Sequence, residues 1–450
     1  MDKCILSHLR DTADRNIEEL QTFIRLPSVA AQRRGVRECA LWLADYMSGI
    51  GIPPVIAGPP DFPVIMGEAA GHSERSVLIY CHYDVQPADE PEWRHPPFGA
   101  DIADGRIYGR GTVDDKGALI ASLQAVRAYL ECGTRPPITV KFLFEGEEEI
   151  SSPSLPAVLQ EHHAFLSCDA LVNLGDNSWP DGRPRVVCGI KGICLVRFEV
   201  RTRREFHEMM APLITNPLMR LIAALTTLMS PDGQITIPGF YDDVLLPSVR
   251  DMEVLADLRW TGKELLEASG QSAFVGGKQP LDALRAWILE PSCNLQGLTG
   301  GYVAPQDKGV VSNCAAAEVR FGLVPNQIPE RVFQRVRDRL SAAGFRDVSV
   351  ELAARNPWAR SPVDSEIVQT VVRALNGAFG RGVAIQPSFG GSGPEGAFQE
   401  MFPSMAHAYA CFGPTEDNLH APNEYVVIAD QLKSIEAVAR IYDEYSRPTP

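Results

Sequence analysis

The chain has 450 residues, 45% hydrophobic and 22% charged, with 37 Gly and 35 Pro, a composition that excludes disorder, collagen and coiled coil. At about 150 residues per domain, this length predicts about two to three domains. Asp and Glu (57) outnumber Lys and Arg (42), and the formal charge of −15 opposes nucleic acid and anionic membranes as partners.

The chain opens Met1-Asp2-Lys3-Cys4-Ile5-Leu6-Ser7 and soon reaches Asp11, Asp14, Glu18 and Glu19. It lacks the apolar stretch and cleavage site of a secretory signal, which predicts a cytoplasmic protein. No window of about 18 residues is free of charge and turn residues, so no membrane-spanning helix is expected. The ten cysteines are scattered and form no Cys-x-x-Cys pair. Buried thiols are therefore expected, not a thiolate zinc site or a redox pair.

Along the chain, short apolar runs bounded by turn residues alternate with longer stretches of helical spacing, the pattern of an α/β sheet. Val77–Cys81 reads as a strand. Leu119, Ile120, Leu123, Val126 and Leu130 mark one buried helix face, and the strands Ile138–Glu145 and Ala170–Leu174 follow. The texture then changes. Cys194–Arg201 and Glu318–Val324 alternate as half-exposed strands, while Pro217–Met229 and Glu330–Ala342 read as amphipathic helices, together an α+β layer. A helix from about Pro362, strands Val383–Ser388 and Met405–Phe412, and a helix Ile428–Tyr445 form a second α/β cycle, predicted to share the first sheet. The expected fold is α/β, with a discontinuous catalytic domain at 1–190 and 356–450 and an inserted α+β domain at 191–355. Gly189-Ile190-Lys191-Gly192 and Arg355-Asn356-Pro357 are the expected hinges.

Polar chemistry concentrates after the apolar strands, where α/β sheets place ligands. Tyr80-Cys81-His82-Tyr83-Asp84-Val85-Gln86-Pro87 puts His82 and Asp84 on one side of an extended segment. The pair is either a strand-end histidine beside a solvated aspartate or a metal ligand steadied by a carboxylate. Tyr108-Gly109-Arg110-Gly111-Thr112-Val113-Asp114-Asp115-Lys116-Gly117 opens a helix, and Asp114 or Asp115 is open to capping it or to binding metal. Glu145-Gly146-Glu147-Glu148-Glu149 places four carboxylates at a strand end, which makes better sense beside a cation than as a solvated loop. Asp176 follows the third strand, and Glu416-Asp417-Asn418-Leu419-His420-Ala421-Pro422-Asn423-Glu424 supplies a second imidazole after the strand ending at Phe412. His, Asp and Glu without Cys suit Zn²⁺ or Mn²⁺ in an open hydrolytic site, and a two-metal hydrolase becomes the leading idea.

These motifs, in this order, resemble the di-zinc metallopeptidases that include carboxypeptidase G-type enzymes, aminoacylases, succinyl-diaminopimelate desuccinylase and carnosinase-like dipeptidases, most closely the last branch. The likeness runs over His-x-Asp-x-x-Pro, Gly-Arg-Gly-x-x-Asp-x-Lys-Gly, Glu-Glu, a later Asp and a late His-x-x-Asn-Glu, and so spans nearly the whole chain. The resemblance implies two divalent ions per chain, Zn²⁺ with Mn²⁺ or Co²⁺ as alternatives. It makes Asp114 the bridging carboxylate, His82 and Asp176 the ligands of one ion, and Glu149 and His420 those of the other. Asp84 would orient His82, and Glu148 would be the general base, with Glu147 offering a register one residue off. A homodimer through the inserted domain and a dipeptide-like or other small substrate are also implied.

The same resemblance exposes departures around the substrate. The family's His-Ser-Gly, whose histidine stabilises the oxyanion across a dimer, reads His207-Glu208-Met209 here, with Asn216-Pro217 matching downstream. The arginine that binds a substrate carboxylate before Leu-Val-Pro is Gly322, with Arg320 two residues earlier on the same strand face. Arg-Glu-Gly-Gly-Ser reads Ser388-Phe389-Gly390-Gly391-Ser392, which leaves Gly391 and Ser392 as substrate-binding candidates. These changes predict weak cleavage of simple dipeptides with a free C-terminal carboxylate. They leave open a deacylase acting on a non-peptide N-acyl compound, or a metal-binding homologue of low activity.

Overall fold

Val77, Leu78, Ile79, Tyr80 and Cys81 are all buried, on both faces of their strand. A run with no polar face can only be an inner strand of a covered sheet. The computed structural model describes residues 1–303, 305–415 and 418–447; Glu416 and Asp417 of the motif before His420 lie outside them. The described chain divides into two units, one of residues 1–189, 360–387 and 397–450, the other of residues 190–359 and 388–396. The segment 388–396, expected with the first domain, groups with the second unit.

Unit 1 carries an eight-stranded sheet in the order Val55–Ala57, Val64–Ala69, Thr139–Glu145, Ser76–His82, Ala170–Asn177, Ala406–Gly413, Arg185–Val187, Ala384–Gln386. The two α/β cycles share this sheet, as the sequence predicted. Its four middle strands are parallel, and the outer ones include antiparallel pairs. Helix Lys116–Glu131, buried from Lys116 to Tyr129, packs on the strands beside helix Ile428–Tyr445, which also carries helix Glu366–Phe379. On the opposite side, Leu78, Tyr80, Leu143 and Leu171 meet Leu155, Leu159, Phe398 and Phe402.

Unit 2 is built on a four-stranded antiparallel sheet in the order Ser292–Gly300, Cys314–Leu323, Gly192–Arg201, Ser349–Asn356. Helices Pro217–Leu225 and Pro329–Ala342 cover one face, where Phe198, Val319 and Phe321 pack with Leu221, Val336 and Leu340. The first helix stops four residues before the Met229 expected. Thr226 and Thr227 turn their hydroxyls back to the carbonyls of Ala223 and Ala224, a local bond that competes with helix continuation. No described helix is long and apolar enough to cross a membrane.

Candidate metal centre

Parallel strands in register bring their C-terminal ends to one edge, and here His82 lies opposite Glu145 and Gly413 opposite Asn177. The loops leaving these ends carry the ligand-type residues. His82 donates from Nε2 to Asp114 Oδ1 at 2.9 Å and from Nδ1 to the Asp84 carbonyl at 3.1 Å. His420 donates from Nε2 to Asp114 Oδ2 at 2.9 Å and lies 3.3 Å from Glu149 Oε2. Each oxygen of Asp114 thus faces a different imidazole.

The fully buried Asp84 accepts from the Glu148 N–H at 3.1 Å and the Glu149 N–H at 3.0 Å. It steadies His82 both through its carbonyl and through its carboxylate, whose Oδ1 lies 3.5 Å from His82 Nδ1, and the same carboxylate locks the glutamate run. Glu147 points elsewhere, accepting from the Ser154 N–H at 3.1 Å. Asp176, at a positive φ of 57°, accepts from Arg185 Nη2 at 2.8 Å. The structure brings His82, Asp114, Glu149 and His420 together with Asp84 and Glu148 beside them, and gives Asp176 to Arg185.

The electrostatics are those of a crowded acidic site. Burial, aided by Asp114 and Glu149 and opposed by His82, pushes the Glu148 carboxyl up to about 8. Bonds to Asp114 and Glu149 push His420 up to about 10. Burial pulls His82 down, but its bonds to Asp114 and Asp84 outweigh that and hold it well above the usual imidazole range. Asp114, despite burial, is held below the usual carboxylate range by the two histidines. Two imidazoles drawn toward the charged form by the carboxylates around them mark a site that requires positive charge. The residues fit a cation there. Asp114, Glu149 and His420 offer ligand atoms all within 4.8 Å of one another. Glu149 Oε2 accepts from Gln86 at 2.8 Å, whereas its Oε1 is buried with no hydrogen-bond partner.

Two further residues shape the site. Asp115 occupies the position before helix Lys116–Glu131 yet makes no side-chain cap bond. It accepts from the His82 N–H at 3.2 Å, and burial pushes its carboxyl well up, toward the neutral acid. Gly175, at φ +123°, is what permits this approach, since a Cβ there would lie 2.2 Å from Asp115 Oδ1. Glu424 lies four residues after His420. It is fully buried, accepts from Val113 N (2.9 Å), Gly111 N (3.0 Å) and Arg110 Nη1 (2.8 Å), and so ties the His420 loop to the loop that carries Asp114. Its spacing of four from His420 was the only available signal.

The substrate-binding candidates lie in unit 2. Arg320 Nη2 donates to Ser392 Oγ at 3.2 Å, and the Gly391 carbonyl accepts from the Lys191 N–H at 2.8 Å. His207 is exposed and accepts from the Met209 N–H at 3.3 Å. Asn216 caps helix Pro217–Leu225, accepting from the Leu218 N–H at 2.9 Å.

A model of the peptidase family M20/M25/M40 matches residues 78–444. Human Beta-Ala-His dipeptidase is 26% identical over 425 residues, covering 90% of this chain and 82% of its own. Cys-Gly metallodipeptidase dug1 of Schizosaccharomyces pombe is 27% identical over 405 residues, with 86% and 84% covered. Among solved structures, an M20 family metallo-carboxypeptidase, Sso-CP2 from Sulfolobus solfataricus, superposes with a TM-score of 0.88 at 30% identity, over 99% of this chain and 100% of that one.

Proposed function

Because the chain belongs to the peptidase family M20/M25/M40, we propose that it is a metal-dependent, dipeptidase-like hydrolase that cleaves the amide bond of a small peptide or N-acyl substrate. The observation that carries this is Asp114, with a different imidazole at each oxygen and Glu149 alongside. His82 and Asp176 would hold one divalent ion, Glu149 and His420 a second, and Asp114 both. The imidazole and carboxylate donors suit Zn²⁺, with Mn²⁺ or Co²⁺ as alternatives.

Such a cation pair supplies Lewis acidity toward water and toward the scissile carbonyl. Glu148, which is not a ligand in this scheme, takes the proton of the attacking water on its carboxylate and returns it to the leaving amine. Asp84 holds the peptide N–H groups of Glu148 and Glu149 and so fixes where that carboxylate sits. Unit 2 would bind substrate and form a homodimer. Exposed Met219 and Ile222 on its helix, and Leu295 and Leu298 on its edge strand, support that pairing. Free cysteines throughout the described chain support a cytoplasmic setting.

Loaded with Zn²⁺ or Mn²⁺, the purified chain should cleave Cys-Gly or β-Ala-His and lose that activity on chelation. Metal analysis should find about two ions per chain, and fewer in His82→Ala or His420→Ala. Undiminished hydrolysis by the metal-free chain would end this proposal.

A further inference from the structure

Cys4 and Cys132 stand 128 residues apart, which is why the spacing of the cysteines predicts no redox pair, yet their Sγ atoms lie 2.8 Å from each other. A disulfide needs about 2.0 Å, so the gap closes with a movement of about 0.8 Å, within reach of side-chain torsions. Of the ten cysteines Cys4 alone is exposed, and Cys132 beside it is half-buried. A thiol open to solvent with a second thiol against it is the arrangement of an attacking and a resolving cysteine. The two sulfurs do not make a metal site, because among the described residues only Asp114, Glu149 and His420 cluster closely enough to share an ion.

The elements that carry the thiols are already docked, but lightly. Cys4 lies in the first turn of helix Lys3–Asp11, where Asp2 accepts from its N–H at 2.9 Å, and Cys132 closes helix Lys116–Glu131. One turn on from Cys4, His8 lies 3.0 Å from Glu131. Helix Lys3–Asp11 buries only Ile5 and Leu9, so little apolar area holds it in place, and a partly exposed ion pair adds little.

We propose that Cys4 and Cys132 form a reversible redox staple, a disulfide made by exchange with a small-molecule disulfide, that pins helix Lys3–Asp11 to the end of helix Lys116–Glu131. The Cys4 thiolate attacks one sulfur of the small disulfide, forming a mixed disulfide and expelling one small thiolate, which takes up the proton that Cys4 lost. Cys132 then gives up its proton and attacks Cys4 Sγ, the bond from Cys4 to the small thiol breaks, and the second small thiolate leaves with that proton. The protein is oxidised to a cystine, and the small disulfide is reduced to two thiols. Exposure sets the order of attack. Burial, the bond to Cys4 and the nearby acids Asp2 and Glu131 push the Cys132 thiol up to about 11, so it is a poor nucleophile toward solution and depends on the activated sulfur beside it. The cross-link constrains the unfolded chain over a long loop and suppresses fraying of the helix.

The test uses the full chain, reduced and then incubated with oxidised glutathione at mildly alkaline pH. Peptide mapping should find the Cys4–Cys132 disulfide as the main product, and dithiothreitol should reverse it. Amide exchange in helix Lys3–Asp11 should slow roughly tenfold or more, and the melting temperature should rise by about 3 °C or more. In Cys132→Ser the reaction should stop with glutathione on Cys4, and neither this variant nor Cys4→Ser should show the slower exchange. Mapping that finds the two thiols still reduced, or joined only to glutathione or to another chain, overturns the proposal, and it does so on the wild type even if a variant fails to fold. A Cys4–Cys132 disulfide that forms without slowing exchange in the helix overturns it as well.

Discussion

The two sheets handle polar residues in opposite ways. In unit 1 the middle strands are apolar on both faces, so charged groups collect at their ends, where His82 and the glutamates after Glu145 meet. In unit 2 the strand Gly192–Arg201 alternates buried and accessible residues along its whole length, and its charges spread across the open face. The ion pairs follow suit. Arg110 and Glu424 are 1% and 0% exposed, whereas Arg197 and Glu318 are 50% and 34% exposed. Substitutions in unit 1 should therefore disturb chemistry or folding sharply, and comparable ones on the unit 2 surface should not.

The largest effect expected is at Glu148. Removing a positioned base costs about 10²–10⁴ in rate, so Glu148→Gln should lower kcat by that range with metal content and melting temperature unchanged. Glu147→Gln should be far milder, because Glu147 is occupied with the Ser154 N–H. A reversal of these two outcomes would move the base one residue upstream.

Next in size is the buried pair. Glu424→Ala leaves Arg110 buried without its partner and frees the N–H groups of Gly111 and Val113. Breaking a buried pair in this way costs about 3–5 kcal/mol, readable as a shift in the urea midpoint. A loss under about 1 kcal/mol would contradict the view that Glu424 organises both loops.

How much of this was legible before the structure follows the same division. The inner strands of unit 1 announced themselves as apolar runs, and the ligand residues followed them directly in sequence. Outer strands such as Arg185–Val187 and Ala384–Gln386, three residues each, are too short to show a period. In unit 2, Ser292–Gly300 carries no readable period because it is an exposed edge strand, rich in Gly and polar residues, whose register shifts between Leu295 and Gly297. Arg185 on Asp176, and Lys191 beside Gly322, join residues distant in sequence or strand, and no local pattern encodes either contact.

A smaller, graded effect is expected from pH in the metal-free chain. His420 is pushed up to about 10 and Glu148 up to about 8. For a group whose folded pKa is raised, the stability is complete below its unfolded pKa and is lost as pH climbs through the folded one. The chelated protein should thus lose melting temperature progressively from about pH 5 to about pH 10. Asp114, held low by the histidines, adds a separate loss in strong acid. With metal bound, cations replace these protons and the alkaline limb should flatten. Identical pH profiles with and without metal would show that these residues do not form a cation site.

The smallest effect tests the other half of the comparison. Arg197 donates from Nε and Nη2 to a single oxygen of Glu318, at 3.1 and 2.7 Å, across paired strands of unit 2. The geometry is good, yet the Arg197 side chain is half exposed, so solvent competes for its bonds and salt screens the attraction. Holding two long side chains in one arrangement also costs rotamer freedom. Arg197→Ala should therefore leave the urea midpoint within experimental error, and raising the salt concentration should change the wild type no more than the variant. If Arg197→Ala instead destabilised the chain as much as Glu424→Ala, exposure would not separate the two kinds of ion pair, and the contrast between the sheets would fail.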